Sequence, residues 1–196
     1  MENPPPGSQD AFGAGWPLVR RYADMLATTA IERGLLGPRE ASRLWTRHLL
    51  QGAVIAPLVP EGTIVLDVGS GAGLPGLPLA LAREDLRVIL LDAAARRVAF
   101  LEEVVQELGL GARVDVRRSR LEELPPSERF PVLTARAVAP VPRLLSWCRP
   151  RLDRGGRLLA LVGTAAVEEI PAGATVHRCG VGVLEEPVTV LEVREW

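Results

Sequence analysis

The chain has 196 residues, 47% of them apolar, and a formal net charge of −1, which suits one α/β domain with an appendage and gives no overall attraction for polyanions. All 23 basic residues are arginine, so a P-loop lysine, a kinase lysine and a Schiff-base lysine are excluded. His48, His177, Cys148 and Cys179 stand at no metal-ligand spacing, and no metal is expected.

In chain order, residues 1–15 are rich in proline and glycine and are expected to form a flexible tail. They lack the pattern of an export signal, and no apolar run approaches the roughly 18 residues of a membrane span, so a cytoplasmic protein with reduced thiols is expected. From Trp16, Pro17 suits a first helical turn. Leu18, Tyr22, Met25, Leu26 and Thr29 recur at helical spacing as far as Gly34. After Gly37-Pro38 a second helix, with Ala41, Leu44, Trp45, His48 and Leu49 on one face, should run to about Ala56. Residues 16–60 thus read as a helical cap.

Residues 61–196 read as an alternating α/β unit. Strands are expected over Thr63–Val68, Arg87–Leu91, Val114–Arg117, Pro131–Ala135 and Arg157–Val162, and helices over Pro75–Ala82, Ala94–Leu108 and Pro142–Cys148. Strands separated by helices predict a parallel, doubly wound sheet. Ala174–Cys179 and Val188–Val193 then follow with no helical pattern between them. They predict an antiparallel terminal pair and a mostly parallel, seven-stranded, Rossmann-like sheet.

The densest signal is Leu66-Asp67-Val68-Gly69-Ser70-Gly71-Ala72-Gly73-Leu74-Pro75-Gly76. A strand ending in a glycine turn, with an acid (Asp92) closing the next strand, fits a nucleotide-like cofactor across the carboxyl ends of two parallel strands. The turn alone leaves a dinucleotide, S-adenosylmethionine and a structural turn open. Three details favour S-adenosylmethionine. Asp67 lies where an acid would repel a pyrophosphate but attract an amino group and a sulfonium. The antiparallel terminal pair departs from a dinucleotide fold's second half. Arg120-Leu121-Glu122 follows the third strand, where it can read an adenine edge.

The loop with its Leu-Pro-Gly tail resembles the bacterial RsmG (GidB) family, whose members make N7-methylguanosine in 16S ribosomal RNA of the small subunit. The likeness continues through Arg47-His48-Leu49-Leu50, Ser119-Arg120-Leu121-Glu122-Glu123 and Thr134-Ala135-Arg136-Ala137-Val138-Ala139. In Cys179-Gly180-Val181-Gly182-Val183 it resembles the actinobacterial branch. The resemblance implies a class I methyltransferase whose cofactor contacts fall on Gly69, Leu74, Leu121, Glu122 and Arg136. It also implies a cytoplasmic partner, the 16S rRNA or 30S subunit, and a monomer is expected. Asp67, Gly71, Gly73 and Asp92 complete the expected cofactor site, with Arg136 and Arg120 as the candidate catalytic residues. Departures fall on the substrate side. Leu161-Val162-Gly163 stands where the family has Leu-Lys-Gly, Gln51 replaces an Asn or Asp, the next helix is cut to Thr164–Ile170, and no late arginine accompanies Glu185-Glu186-Pro187.

Methylation at guanine N7 needs no general base, which suits a chain with two histidines and no catalytic dyad. His48 is expected to be hydrogen-bonded packing, Trp16, Trp45 and Trp147 to be core or cap residues, and both cysteines to be buried small residues. Arg96, Arg97, Arg117, Arg118 and Arg120 could form a local basic face for RNA. The substrate losses also admit a diverged enzyme for a small molecule, or a cofactor- or RNA-binding protein without turnover.

Overall fold

In the computed structural model, residues 2–163, 170 and 172–194 are described. Seven strands form one sheet in the order β3-β2-β1-β4-β5-β7-β6. They are β1 (Ile64–Val68), β2 (Arg87–Asp92), β3 (Val114–Arg118), β4 (Phe130–Arg136), β5 (Leu152–Val162), β6 (Thr175–Cys179) and β7 (Val188–Arg194). The first five pair in parallel, while β7 runs antiparallel to both β5 and β6. Chain order reverses between β1 and β4, and ligands of such sheets lie at that crevice beyond the carboxyl ends.

The two-residue period of the strands sorts their side chains into two cores. Val65, Val88, Leu90, Val132 and Leu159 face one side, together with the cap helices, α4 (Gly76–Ala82) and α5 (Ala95–Glu107). Leu66, Val68, Ile89, Leu133 and Ala160 face the other, against α6 (Val141–Cys148). The first strands are buried on both faces, as a doubly wound sheet requires.

The expected tail is corrected. Residues 8–12 form the short helix α1 (Ser8–Phe12), and Phe12 is buried in the first core. The Glu2 carboxylate accepts the backbone N–H groups of Trp45 and Thr46 and the Thr46 hydroxyl. One phenylalanine and one capping carboxylate thus anchor a segment whose proline and glycine content argued for disorder.

The first cap helix begins as expected, as α2 (Trp16–Met25), and continues through a π-helical turn at Leu26–Ala30. The second is not one α-helix. Pro38–Arg43 is 3₁₀, Trp45–Leu49 is π, and only α3 (Leu50–Ala53) is α-helical. Strand β5 begins at Leu152, earlier than expected, and its register on β4 shifts between Phe130 and Val132. The helix expected over Thr164–Ile170 falls on residues outside those described, apart from Ile170.

Candidate S-adenosylmethionine site

The carboxyl edge carries the candidate residues in spatial order. Leu121 and Glu122 follow β3, Asp92 ends β2, the glycine loop leaves β1, and Arg136 ends β4. The loop is held from beneath and from both sides. Beneath it, Asp67 is fully buried. The Thr134 hydroxyl donates to its Oδ1 at 2.8 Å and the Gly76 N–H to its Oδ2 at 3.2 Å. Burial raises its pKa to about 6, against these hydrogen bonds, which favour the carboxylate. A Cβ on Gly76 would lie 2.7 Å from Asp67 Oδ2, so glycine there lets the loop close onto the acid. Both Asp67 oxygens thus serve the loop's own frame.

On the cap side, the buried Tyr22 hydroxyl donates to the Ala72 carbonyl at 2.5 Å. Gly73 has φ +98°, and a Cβ there would lie 2.8 Å from the Tyr22 oxygen; both the backbone conformation and the approach of the cap demand glycine. Burial raises the Tyr22 pKa well above its usual value. The sequence marked Tyr22 only as an apolar-face residue. Its signal was a phenol on a buried helix face, which needs a hydrogen-bond partner.

On the β2 side, Asp92 is buried, and its Oδ2 accepts the Gly71 N–H at 3.0 Å. Its Oδ1 accepts the Ala94 N–H at 2.9 Å, and Arg97 lies 3.3 Å from Oδ2. A carboxylate offers about four lone-pair sites and three are taken here, so capacity remains for one ribose hydroxyl. Leu121 is buried and Glu122 exposed on a 3₁₀ turn, Leu121–Glu123. The buried Arg151, not anticipated from sequence, fastens that turn by donating to the carbonyls of Pro125 and Glu122.

Arg136 crosses to the cap. Its Nη1 donates to the Arg47 carbonyl at 3.1 Å and lies 2.9 Å from His48 Nδ1. His48 Nε2 lies 2.7 Å from Glu40 Oε2. A guanidinium has no acceptor, so Nδ1 carries the lone pair and Nε2–H donates to Glu40. Burial first, and then the Arg136 charge, lower the His48 pKa to about 4. His48 is hydrogen-bonded packing, as expected, but its partner is the candidate catalytic arginine. Among the described residues no carboxylate lies within ion-pair distance of Arg136, and its Nε and Nη2 have no hydrogen-bond partner.

Of the expected basic face, Arg97 is committed to Asp92 and Arg117 to Asp115 and Glu128. Arg96, Arg118 and Arg120 are exposed. Trp45 is buried and packs against Trp16 in a tilted arrangement, 5.4 Å between ring centroids, as a cap residue. Cys148 is buried, which raises its thiol to about 12 and keeps it protonated.

These residues fit the cofactor by chemistry as well as position. The glycine turn leaves the backbone open to close approach, Asp92 keeps acceptor capacity, and Arg136 offers a donor edge that no described residue uses.

A solved methyltransferase from Geobacter sulfurreducens is similar at TM-score 0.61 and 18% identity, covering 92% of this chain and 89% of that one. An rRNA methylase from Streptococcus thermophilus is similar at TM-score 0.52 and 17% identity, covering 75% and 95%. Both establish the fold. Two proteins called ribosomal RNA small subunit methyltransferase G are much nearer in sequence. The one from Salinispora tropica is 48% identical, over 97% of this chain and 87% of its own length. The one from Mycobacterium leprae is 50% identical, over 93% and 80%. The family model for rRNA small subunit methyltransferase G, GidB, matches residues 17–187. With a family match over most of its length and relatives near half identical to it, the chain belongs to the GidB family of rRNA small subunit methyltransferases.

Proposed function

We propose that this chain is an S-adenosylmethionine-dependent methyltransferase that makes N7-methylguanosine in 16S rRNA, acting as a monomer on the 30S subunit or its precursor in the cytoplasm. Membership of the family carries the reading. No helix among the described residues is long and apolar enough to cross a membrane. Bound S-adenosylmethionine supplies an electrophilic methyl group, which the N7 lone pair of guanine takes up without losing a proton.

The chain's own groups bind and orient rather than move protons. Asp92 receives the ribose, Leu121 and Glu122 flank the adenine, and Gly69, Gly71, Gly73 and Leu74 leave room for the amino-acid end. Asp67 and Tyr22 hold that loop in shape. Arg136 directs donors into the mouth, and Arg120, exposed after β3, meets the RNA. Three titratable groups beside the mouth are already engaged. His48 has both ring nitrogens bonded, Tyr22 donates to a carbonyl, and Asp67 is enclosed. None of these three groups is free to act as a base, which suits a nucleophile that loses no proton. Placing the reactants in near-attack geometry supplies roughly 7–11 kcal/mol of such a barrier.

The test is transfer of labelled methyl groups to 30S subunits from a strain lacking the modification, followed by mapping of the base. A cofactor-bound protein that transfers nothing to them overturns the RNA substrate. Transfer to small molecules instead would support the diverged reading that Val162 raises, and turnover of any substrate removes the non-catalytic one.

A further inference from the structure

The cap meets the sheet and its loops through several polar contacts, among them Arg157 to the Leu58 carbonyl and Tyr22 to the Ala72 carbonyl, and one of them ends on Arg136 at the carboxyl edge. Both bonds from Arg136 to the cap leave Nη1, one to the Arg47 carbonyl and one to His48 Nδ1. The two Nη1 hydrogens are therefore used, and the planar guanidinium is fixed in rotation about its own axis. What remains is the Nε–Nη2 edge, the side of the fork that can bind a planar acceptor through two parallel hydrogen bonds. His48 can accept from Nη1 only while neutral with its proton on Nε2, and Glu40 Oε2, 2.7 Å from Nε2, holds that tautomer. Arg43 and Arg47 in turn lie 2.7 and 3.4 Å from Glu40 and keep its charge in place. His48 and Arg47 both lie in the π-helical turn Trp45–Leu49. A widened turn of this kind is often found at functional sites; here it presents a ring nitrogen and a backbone carbonyl from neighbouring residues to one donor.

We propose that His48 is a positioning residue of the methyltransferase site: its neutral imidazole, oriented by Glu40, sets the guanidinium of Arg136 so that the Nε–Nη2 edge is presented to the bound ligand. This rests on Arg136 belonging to the cofactor site. The cap is then part of the active site as well as a cover for the core. Its burial supports the same conclusion, since a charged His48 would set N–H against N–H at Arg136, and burial keeps the ring neutral.

The test is a mutant cycle read by calorimetry of S-adenosylmethionine binding, with folding followed by thermal melts. His48→Phe keeps the ring volume and removes both nitrogens; His48→Leu takes its place if the Phe variant does not fold. His48→Asn puts a side-chain oxygen near the position of Nδ1. Arg136→Ala and His48→Phe should each weaken cofactor binding at least five-fold. The double variant should match Arg136→Ala within two-fold, and His48→Asn should recover to within three-fold of the wild type. Unchanged affinity in a folded His48→Phe protein, full additivity in the double variant, or His48→Asn binding as weakly as His48→Phe overturns the proposal. A wild type that binds the cofactor but methylates no ribosomal RNA sinks the RNA substrate and leaves this cycle readable. A wild type that binds no cofactor overturns both.

Discussion

The two sides of the cofactor mouth are built in opposite ways. The β1–β2 side is assembled within one βαβ unit: the glycine loop, the Asp92 carboxylate that accepts the Gly71 N–H, and the Asp67 carboxylate that accepts the Gly76 N–H lie within 26 residues of one another, from Asp67 to Asp92. The β4 side is assembled across the chain. Arg136 reaches back to Arg47 and His48, 89 and 88 residues earlier. The first side holds its shape through backbone amides and glycine geometry, so side-chain changes there should act on cofactor affinity. The second depends on how the cap is seated, so changes there should couple affinity, turnover and pH.

The largest expected effect is on the second side. Arg136→Ala should lower single-turnover methyl transfer at least about 100-fold, roughly 2.7 kcal/mol, while moving the melting temperature by only a few degrees. Equal losses of turnover and folding would make the arginine a structural tie and dissolve the distinction. On the first side, Asp92→Ala should cost about 1.5–3 kcal/mol of cofactor affinity by calorimetry, the value of hydrogen bonds to a charged group. Unchanged affinity would mean the ribose lies elsewhere.

A pH series separates the sides further. The His48 pKa in the folded chain, about 4, lies below its ordinary 6.5, so between those values the unfolded chain binds the proton first. Stability is then lost as pH falls from about 6.5 toward 4, by about 2 kcal/mol between pH 7 and 5. Asp67 opposes this. Its folded value, about 6, lies above the ordinary 3.8, so stability is gained as pH falls through 6, by about 1 kcal/mol over the same span. Denaturant titrations should therefore show a shallow wild-type profile that becomes steeper in Asp67→Asn. A profile unchanged by that substitution would contradict the buried acid.

Tyr22→Phe removes one neutral hydrogen bond and should cost about 0.5–1.5 kcal/mol in folding stability. Its effect on cofactor affinity, read alongside, shows how far the cap seats the loop. The smallest effect is expected at Arg117, whose partners are two carboxylates. Arg117→Ala should leave the salt dependence of RNA binding nearly unchanged, whereas Arg118→Ala or Arg120→Ala should each lower the slope of log K against log salt by about one.

What was legible in the sequence follows the same division. Strand and helix periods, the glycine turn and the closing acid of β2 are short-range patterns, and the sheet bears them out nearly residue for residue, as at β2 and α5. Asp67 was placed at the end of its strand, but not the enclosure that turns it toward Thr134 and Gly76. The tail was misread because composition reports average tendency, whereas a single Phe12 in the core and a single Glu2 at a helix start outweigh it. The second cap helix keeps its apolar face, yet its hydrogen-bond period changes from 3₁₀ to π to α, a choice that packing made.

By itself, then, the sequence determined the parallel sheet, the glycine loop and the family, because each depends on residues near one another along the chain and on side-chain types with few conformational alternatives. Only the tertiary structure decided that Tyr22 seats the loop, that Arg117 is neutralised and that His48 holds Arg136. Those pairings join residues many turns apart, and no local propensity encodes which buried polar group will find which partner. It takes the burial of the cap on the sheet, where an enclosed donor or acceptor is costly to leave unpaired, to select them.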